Sequence, residues 1–115
     1  MSISCIFCKI ASKQIPTKVV LEEDDLIAFH DTNPQAPTHV LIIPKKHIGG
    51  LREAAPEDAE ILGHLLLAVR KVAAATGIEE SGFRTVVNSG PDAGQTVFHL
   101  HIHVLGGRPM AWPPG

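Results

Sequence analysis

The 115-residue sequence predicts a single α+β domain spanning residues 1–115: an antiparallel five-stranded sheet covered by one long helix plus a short N-terminal helix. Three observations carry this. One segment has a 3.6-residue apolar period, five short segments read as strands, and the long helix falls between the third and fourth of them. Strands gathered in hairpins, rather than alternating with helices, argue against a parallel sheet.

A short helical turn fits residues 7–12, before Pro16. Strands fit residues 18–22, 26–31, 39–44, 83–88 and 98–105, each bounded by Asp, Asn, Gly or Pro. Only Glu23, Asp24 and Asp25 separate the first two, the length of a hairpin loop. The nearly unbroken aliphatic run His39-Val40-Leu41-Ile42-Ile43 suits a central strand. The long helix starts at Pro56, carries Glu57, Asp58 and Glu60 at its positive dipole end, and stops at Gly77. Its apolar stripe is Leu62, Leu65, Leu66, Val69, Val72 and Ala73.

Composition narrows the function. With 44% hydrophobic and 19% charged residues the chain is an ordinary globule, burying about two-thirds of its unfolded surface. Ten Lys and Arg against 12 Asp and Glu leave a net charge of -2 without charge runs, so neither polymeric nucleic acid nor an anionic membrane is an expected partner. The first five residues lack the basic and apolar regions of a signal peptide, and the longest apolar stretch, residues 61–69, is broken by Gly63 and His64. The expectation is a cytoplasmic protein.

Histidine is the unusual entry, with seven copies beside one Trp and no Tyr. His99-Leu100-His101-Ile102-His103-Val104 alternates imidazole with aliphatic, so a strand would put all three rings on one face about 6.5 Å apart. Three readings are open: a polar solvent-facing edge, metal ligation, or chemistry with a neutral imidazole as nucleophile. A single ion cannot span the outer pair, about 13 Å apart on a regular strand, so at least one ring is left over. Cys5 and Cys8 have the C-x-x-C spacing of metal and redox sites, but no βαβ unit supports a thioredoxin-like use. His30 and His64 call for no role.

The H-x-H-x-H run resembles the histidine triad of the HIT superfamily of nucleotide hydrolases and transferases. Further blocks resemble its Hint branch, the purine nucleoside phosphoramidases: residues 6–10, 28–31, 34–39, 43–48, 94–97 and 106–115. The resemblance implies a HIT-like fold, a homodimer with Trp112 near the partner's site, and hydrolysis of purine nucleoside 5'-phosphoramidates through a nucleotidyl-histidine. It makes His101 the nucleophile, with His103 and His39 as N–H donors and Thr96, where many relatives have Ser, near the leaving group. Asp31 would hold the ribose, Phe7, Ile10, Phe29 and Leu41 the purine, and Asn88, Gln95 and Thr96 would lie near the phosphate together with His103.

Some bacterial members with the same cysteine pair bind zinc, and the matching ligands here are Cys5, Cys8, His47 and His99. Such a closed site would be structural and would leave catalysis without a metal. Two alternatives stand beside this reading. One is dinucleoside polyphosphate hydrolysis or nucleotidyl transfer within the superfamily, the other a non-catalytic nucleotide-binding or interaction module with structural zinc. Taken alone, Asp31 before Thr32-Asn33-Pro34 reads as a turn former, and the four apolar residues as core.

Overall fold

Five strands, β1 (Val19–Glu22), β2 (Leu26–His30), β3 (Thr38–Pro44), β4 (Phe83–Val86) and β5 (Ile102–Gly106), form one antiparallel sheet in the order β1-β2-β3-β5-β4. The computed structural model describes residues 4–115; residues 1–3, part of the stretch read above for leader features, lie outside the described residues. Helices α1 (Ile6–Ala11) and α2 (Ala59–Thr76) are those expected, with Pro56–Asp58 as a 3-10 turn leading into α2.

The sheet is covered on both faces, because alternate residues of each strand point to opposite sides. Leu26, Ala28, Val40, Ile42, Ile102 and Val104 pack with Leu65, Ala68, Val69 and Val72 of α2. Ile27, Phe29, Leu41 and Ile43 pack with Phe7 and Ile10 of α1. Two-sided burial explains the unbroken aliphatic run of β3, which has no solvent face to supply polar residues.

The α2 stripe is narrower than the sequence implied. Leu66 is 63% exposed, since its position is turned away from the line through Leu65, Ala68, Val69 and Val72. Gly77 ends the helix at φ 76°, its N–H bonding to the Ala74 carbonyl (3.3 Å) and that of Ile78 to Ala73 (3.0 Å), a Schellman arrangement only glycine enters freely.

The expected last strand, residues 98–105, is shortened at its start to Ile102. The β3–β5 ladder ends at Ile42↔Ile102. Pro44 has no N–H to extend it, and its carbonyl is taken by the His99 ring at 2.8 Å. His99 and His101 therefore lie just outside the regular sheet. The fourth strand likewise stops at Val86 rather than residue 88.

At the far end of β5, a Cβ added to Gly106 would lie 2.6 Å from Cδ1 and 3.0 Å from Cβ of buried Ile78. Gly106→Ala is expected to cost about 1–3 kcal/mol by overpacking, read from urea unfolding. The cost should shrink in an Ile78→Ala background; an equal cost in both would place the strain elsewhere.

Candidate active site and metal cluster

Backbone groups assign the protons of His101 and His39, and His39 in turn assigns those of His103. The Nδ1 of His101 lies 2.7 Å from the His99 carbonyl. A carbonyl only accepts, so His101 donates Nδ1–H and keeps its lone pair on Nε2. The Nδ1 of His39 accepts the Gln35 N–H at 3.0 Å, which puts the His39 proton on Nε2. That N–H faces Nδ1 of His103 at 2.9 Å, leaving His103 with an Nε2–H of its own. The result is one nitrogen with a free lone pair beside one outward N–H donor, with ring centroids 5.0 Å apart.

The row is not on display to solvent as an amphipathic strand would suggest. His39 and His101 are buried, and Phe7 of α1 packs edge-on against His101 with centroids 5.0 Å apart. Burial holds His39 below the ordinary histidine value, partly opposed by Asp31. Burial, then repulsion from His101 and His39, pushes His103 down to about 4 against the pull of Asp31. Both are therefore neutral donors at pH 7.

Asp31 is held as a turn former and also faces a histidine. One oxygen accepts the Asn33 N–H at 2.8 Å as a turn former, while the other lies 3.4 Å from Nε2 of His39. Asp31 and His39 border an open cavity of about 770 Å³ lined also by Lys18, His30 and Thr32. Asp31, His39 and His103 offer ligand atoms within 4.8 Å of one another. They make a poor metal site, because the Gln35 N–H occupies the nitrogen of His39 that would have to carry the proton if Nε2 bound an ion.

Phe7, Ile10, Phe29 and Leu41 are brought together on this face, with Phe7 and Phe29 edge to face at 5.7 Å. At 4–6% exposed they form the floor beneath the histidines. Gln95 is a strut: its side chain accepts from the Gly90 N–H and donates to the Gly49 and Val97 carbonyls, so its polar atoms are engaged by backbone. Thr96 is exposed beside a small pocket shared with Cys5 and Phe98, and Asn88 is half-buried past the end of β4. Missed by the sequence were Gln35, which acts through its backbone, and Arg108, whose guanidinium donates to the Gln35 carbonyl at 3.0 Å. The side chain of Gln35 carries no signal of its task, and that of Arg108 does not tell which carbonyl it reaches.

The second constellation is Cys5, Cys8, His47 and His99, whose ligand atoms all lie within 4.8 Å of one another. Sγ of Cys5 is 3.3 Å from Nδ1 of His99, Sγ of Cys8 is 3.2 Å from Nδ1 of His47, and the two Nδ1 atoms are 3.2 Å apart. A four-coordinate zinc ion separates such donors by about 3.3–3.8 Å. His99 is fully buried and donates Nε2–H to Pro44, which turns its Nδ1 lone pair toward the thiols. Burial and Cys5 push the Cys8 thiol up to about 11, the sense that a bound cation reverses. The donor set thus fits a closed tetrahedral site.

The HIT domain model matches residues 12–110, so Cys5 and Cys8 precede the matched segment. The chain is 53% identical over 112 residues to the "14 kDa zinc-binding protein" of Zea mays, covering 96% of this chain and 87% of that protein. Among solved structures it resembles a HIT family hydrolase from Legionella pneumophila (TM-score 0.95, 50% identity, 97% and 100% of the two chains). It also resembles a histidine triad nucleotide-binding protein from Candida albicans (TM-score 0.82, 33% identity, 96% and 83% of the chains).

The neutral state of His103 has a consequence for stability. Its folded value is about 4 against the ordinary 6.5, so between these the unfolded chain takes up a proton that the folded chain refuses. Stability present above pH 6.5 is lost as pH falls through that window and levels off below it. The urea midpoint should fall from pH 7 to 4.5, and by less in His103→Asn; identical slopes would show that His103 is not held neutral.

Proposed function

The chain belongs to the HIT domain family, and on that premise we propose that it hydrolyses purine nucleoside 5'-phosphoramidates through a nucleotidyl-histidine formed on His101. The observation that carries this reading is the Nδ1–H bond from His101 to the His99 carbonyl, which presents an Nε2 lone pair beside the His103 N–H. The Legionella relative is described as a hydrolase and the Candida relative as nucleotide-binding, which supports the class of substrate.

His101 Nε2 attacks the α-phosphorus, and the new N–P bond forms as the bond to the amine breaks. Thr96 relays a proton from water to the departing nitrogen. The hydroxide left by that transfer then attacks phosphorus, the P–Nε2 bond breaks, and nucleoside monophosphate leaves with His101 regenerated neutral. Splitting the displacement in two lowers each barrier, because imidazole is a good nucleophile and then a good leaving group. His103 donates Nε2–H to a non-bridging oxygen as charge builds there. His39, its own N–H committed to His103, is a positioning residue, and Gln35 fixes its tautomer. Asp31 takes the ribose hydroxyls, the Phe7, Ile10, Phe29 and Leu41 surface takes the purine, and Asn88 and Gln95 border the phosphate, Gln95 by holding its loop.

Zinc is the proposed occupant of Cys5, Cys8, His47 and His99, in keeping with the name of the maize relative. Held by these four residues, it would supply a cross-link between the N-terminal turn and the segment that carries His101. Thiolate ligands suit a reducing, cytoplasmic setting. A homodimer is proposed because Leu66, Leu67 and Trp112 are 63%, 65% and 82% exposed, and β4 pairs only with β5 among the described residues.

Rapid quenching with adenosine phosphoramidate should add one nucleoside monophosphate to the protein mass. His101→Ala should lose the adduct and at least about a thousand-fold in turnover. Absence of the adduct in the wild type, or its persistence in the variant, defeats the nucleophile assignment, and faster turnover of diadenosine polyphosphate would move the substrate within the superfamily. Native mass spectrometry should give two chains with two zinc ions, the metal falling away in Cys5→Ser. A metal-free or monomeric mass contradicts the corresponding proposal.

A further inference from the structure

The nucleophile stands where the sheet no longer holds it. The β3–β5 ladder ends at Ile102, one residue after His101, so the preceding segment depends on other supports. Its backbone is tied by Leu100 N–H to the Ile48 carbonyl at 2.6 Å and by Gln95 to the Val97 carbonyl at 3.1 Å. The first also orients the His99 carbonyl, the acceptor that sets the His101 ring, because the two groups share one planar peptide unit, and its own acceptor, Ile48, directly follows His47. That carbonyl belongs to a residue whose side chain is clamped between Pro44 and the two thiols.

A second route runs through packing. Phe7 lies in α1 between Cys5 and Cys8 in sequence, and Cys5 caps that helix by accepting the Cys8 N–H at 3.3 Å. The Phe7 ring meets both His99 and His101 edge to face, at 5.9 and 5.0 Å, with planes near perpendicular. Whatever draws the two cysteines onto His99 therefore also presses Phe7 onto His101.

We infer that the Cys5, Cys8, His47, His99 cluster is a positioning device for the nucleophile. With its ligands gathered on a divalent metal, the cluster holds the His99 carbonyl and the Phe7 ring in register, and these select the His101 tautomer and the direction of its lone pair. Nucleotidyl transfer to His101 would then depend on how these four residues are gathered, with the metal supplying order and no chemistry at phosphorus. The inference rests on His101 being the nucleophile, and it extends that reading from the residue to what orients it. Among the ligands His47 is the exposed one, which makes it the natural point of metal entry and exchange.

The test compares zinc-loaded, chelator-stripped and zinc-restored protein, together with His47→Ala. Two-bond ¹H–¹⁵N spectra report the His101 tautomer directly, and single-turnover kinetics report adduct formation. Stripped protein should show His101 exchanging between tautomers, and adduct formation about 10–100-fold slower at saturating substrate with KM little changed. The amide signals of α2 and β2 should persist, and zinc should restore both properties. A single unchanged His101 tautomer with an unchanged rate in folded, metal-free protein overturns the inference. If stripping unfolds the chain, cadmium exchange keeps it folded while lengthening the metal–sulfur bonds; the His101 nitrogen shifts should then move, and identical shifts overturn it. The spectra stand even if no adduct ever forms, so failure of the phosphoramidase reading and failure of this coupling are separately visible.

Discussion

A histidine with no exposure at all, His99, sets the constraint around which the rest is arranged. Burying an imidazole without partners for both nitrogens costs on the order of a few kcal/mol, so each nitrogen must find one. Nε2–H reaches the Pro44 carbonyl at the end of β3. Nδ1 is met by Cys5, Cys8 and His47. Satisfying one ring thus draws the N-terminal helix, the loop after β3 and the approach to β5 to a single point. Its carbonyl then serves His101.

From that point the chemistry propagates as proton assignments rather than as charge. His101 is read by a carbonyl, His39 by the Gln35 N–H, and His103 by His39. Burial keeps His39 and His103 neutral, so each remains a donor of defined direction. Such a site presents N–H groups rather than cations, which agrees with a net charge of -2 and the absence of charge runs in the sequence. Loop residues with unremarkable side chains do much of the orienting, because the groups they contribute belong to the backbone.

Most of the architecture was legible because it follows from local periodicity. The two-sided burial of β3, the Gly77 stop and the hairpin between β1 and β2 all repeat what the residues themselves prefer. Misreadings arose where a local pattern met a tertiary demand. Residues 98–101 alternate like a strand, yet Pro44 removes the N–H that would pair them. Leu66 fits a broad stripe, but the sheet accepts only a narrow one. For Gln95 the sequence showed the side chain but not its partners, the backbone groups of Gly49, Gly90 and Val97.

By itself the sequence determined the fold class, the spacing of the three imidazoles and the cysteine pair, since each is a matter of which residues follow one another. It also separated His47 and His99 from the rest as candidate ligands through a family resemblance. The division of labour among the rings was decided by tertiary structure. A histidine's tautomer depends on whether a carbonyl or an N–H lies beside it, and those groups come from residues as distant as Pro44 from His99 and His39 from His103. Alternation along the chain can put rings in a row, but only the neighbours folded against them say which nitrogen is free to react.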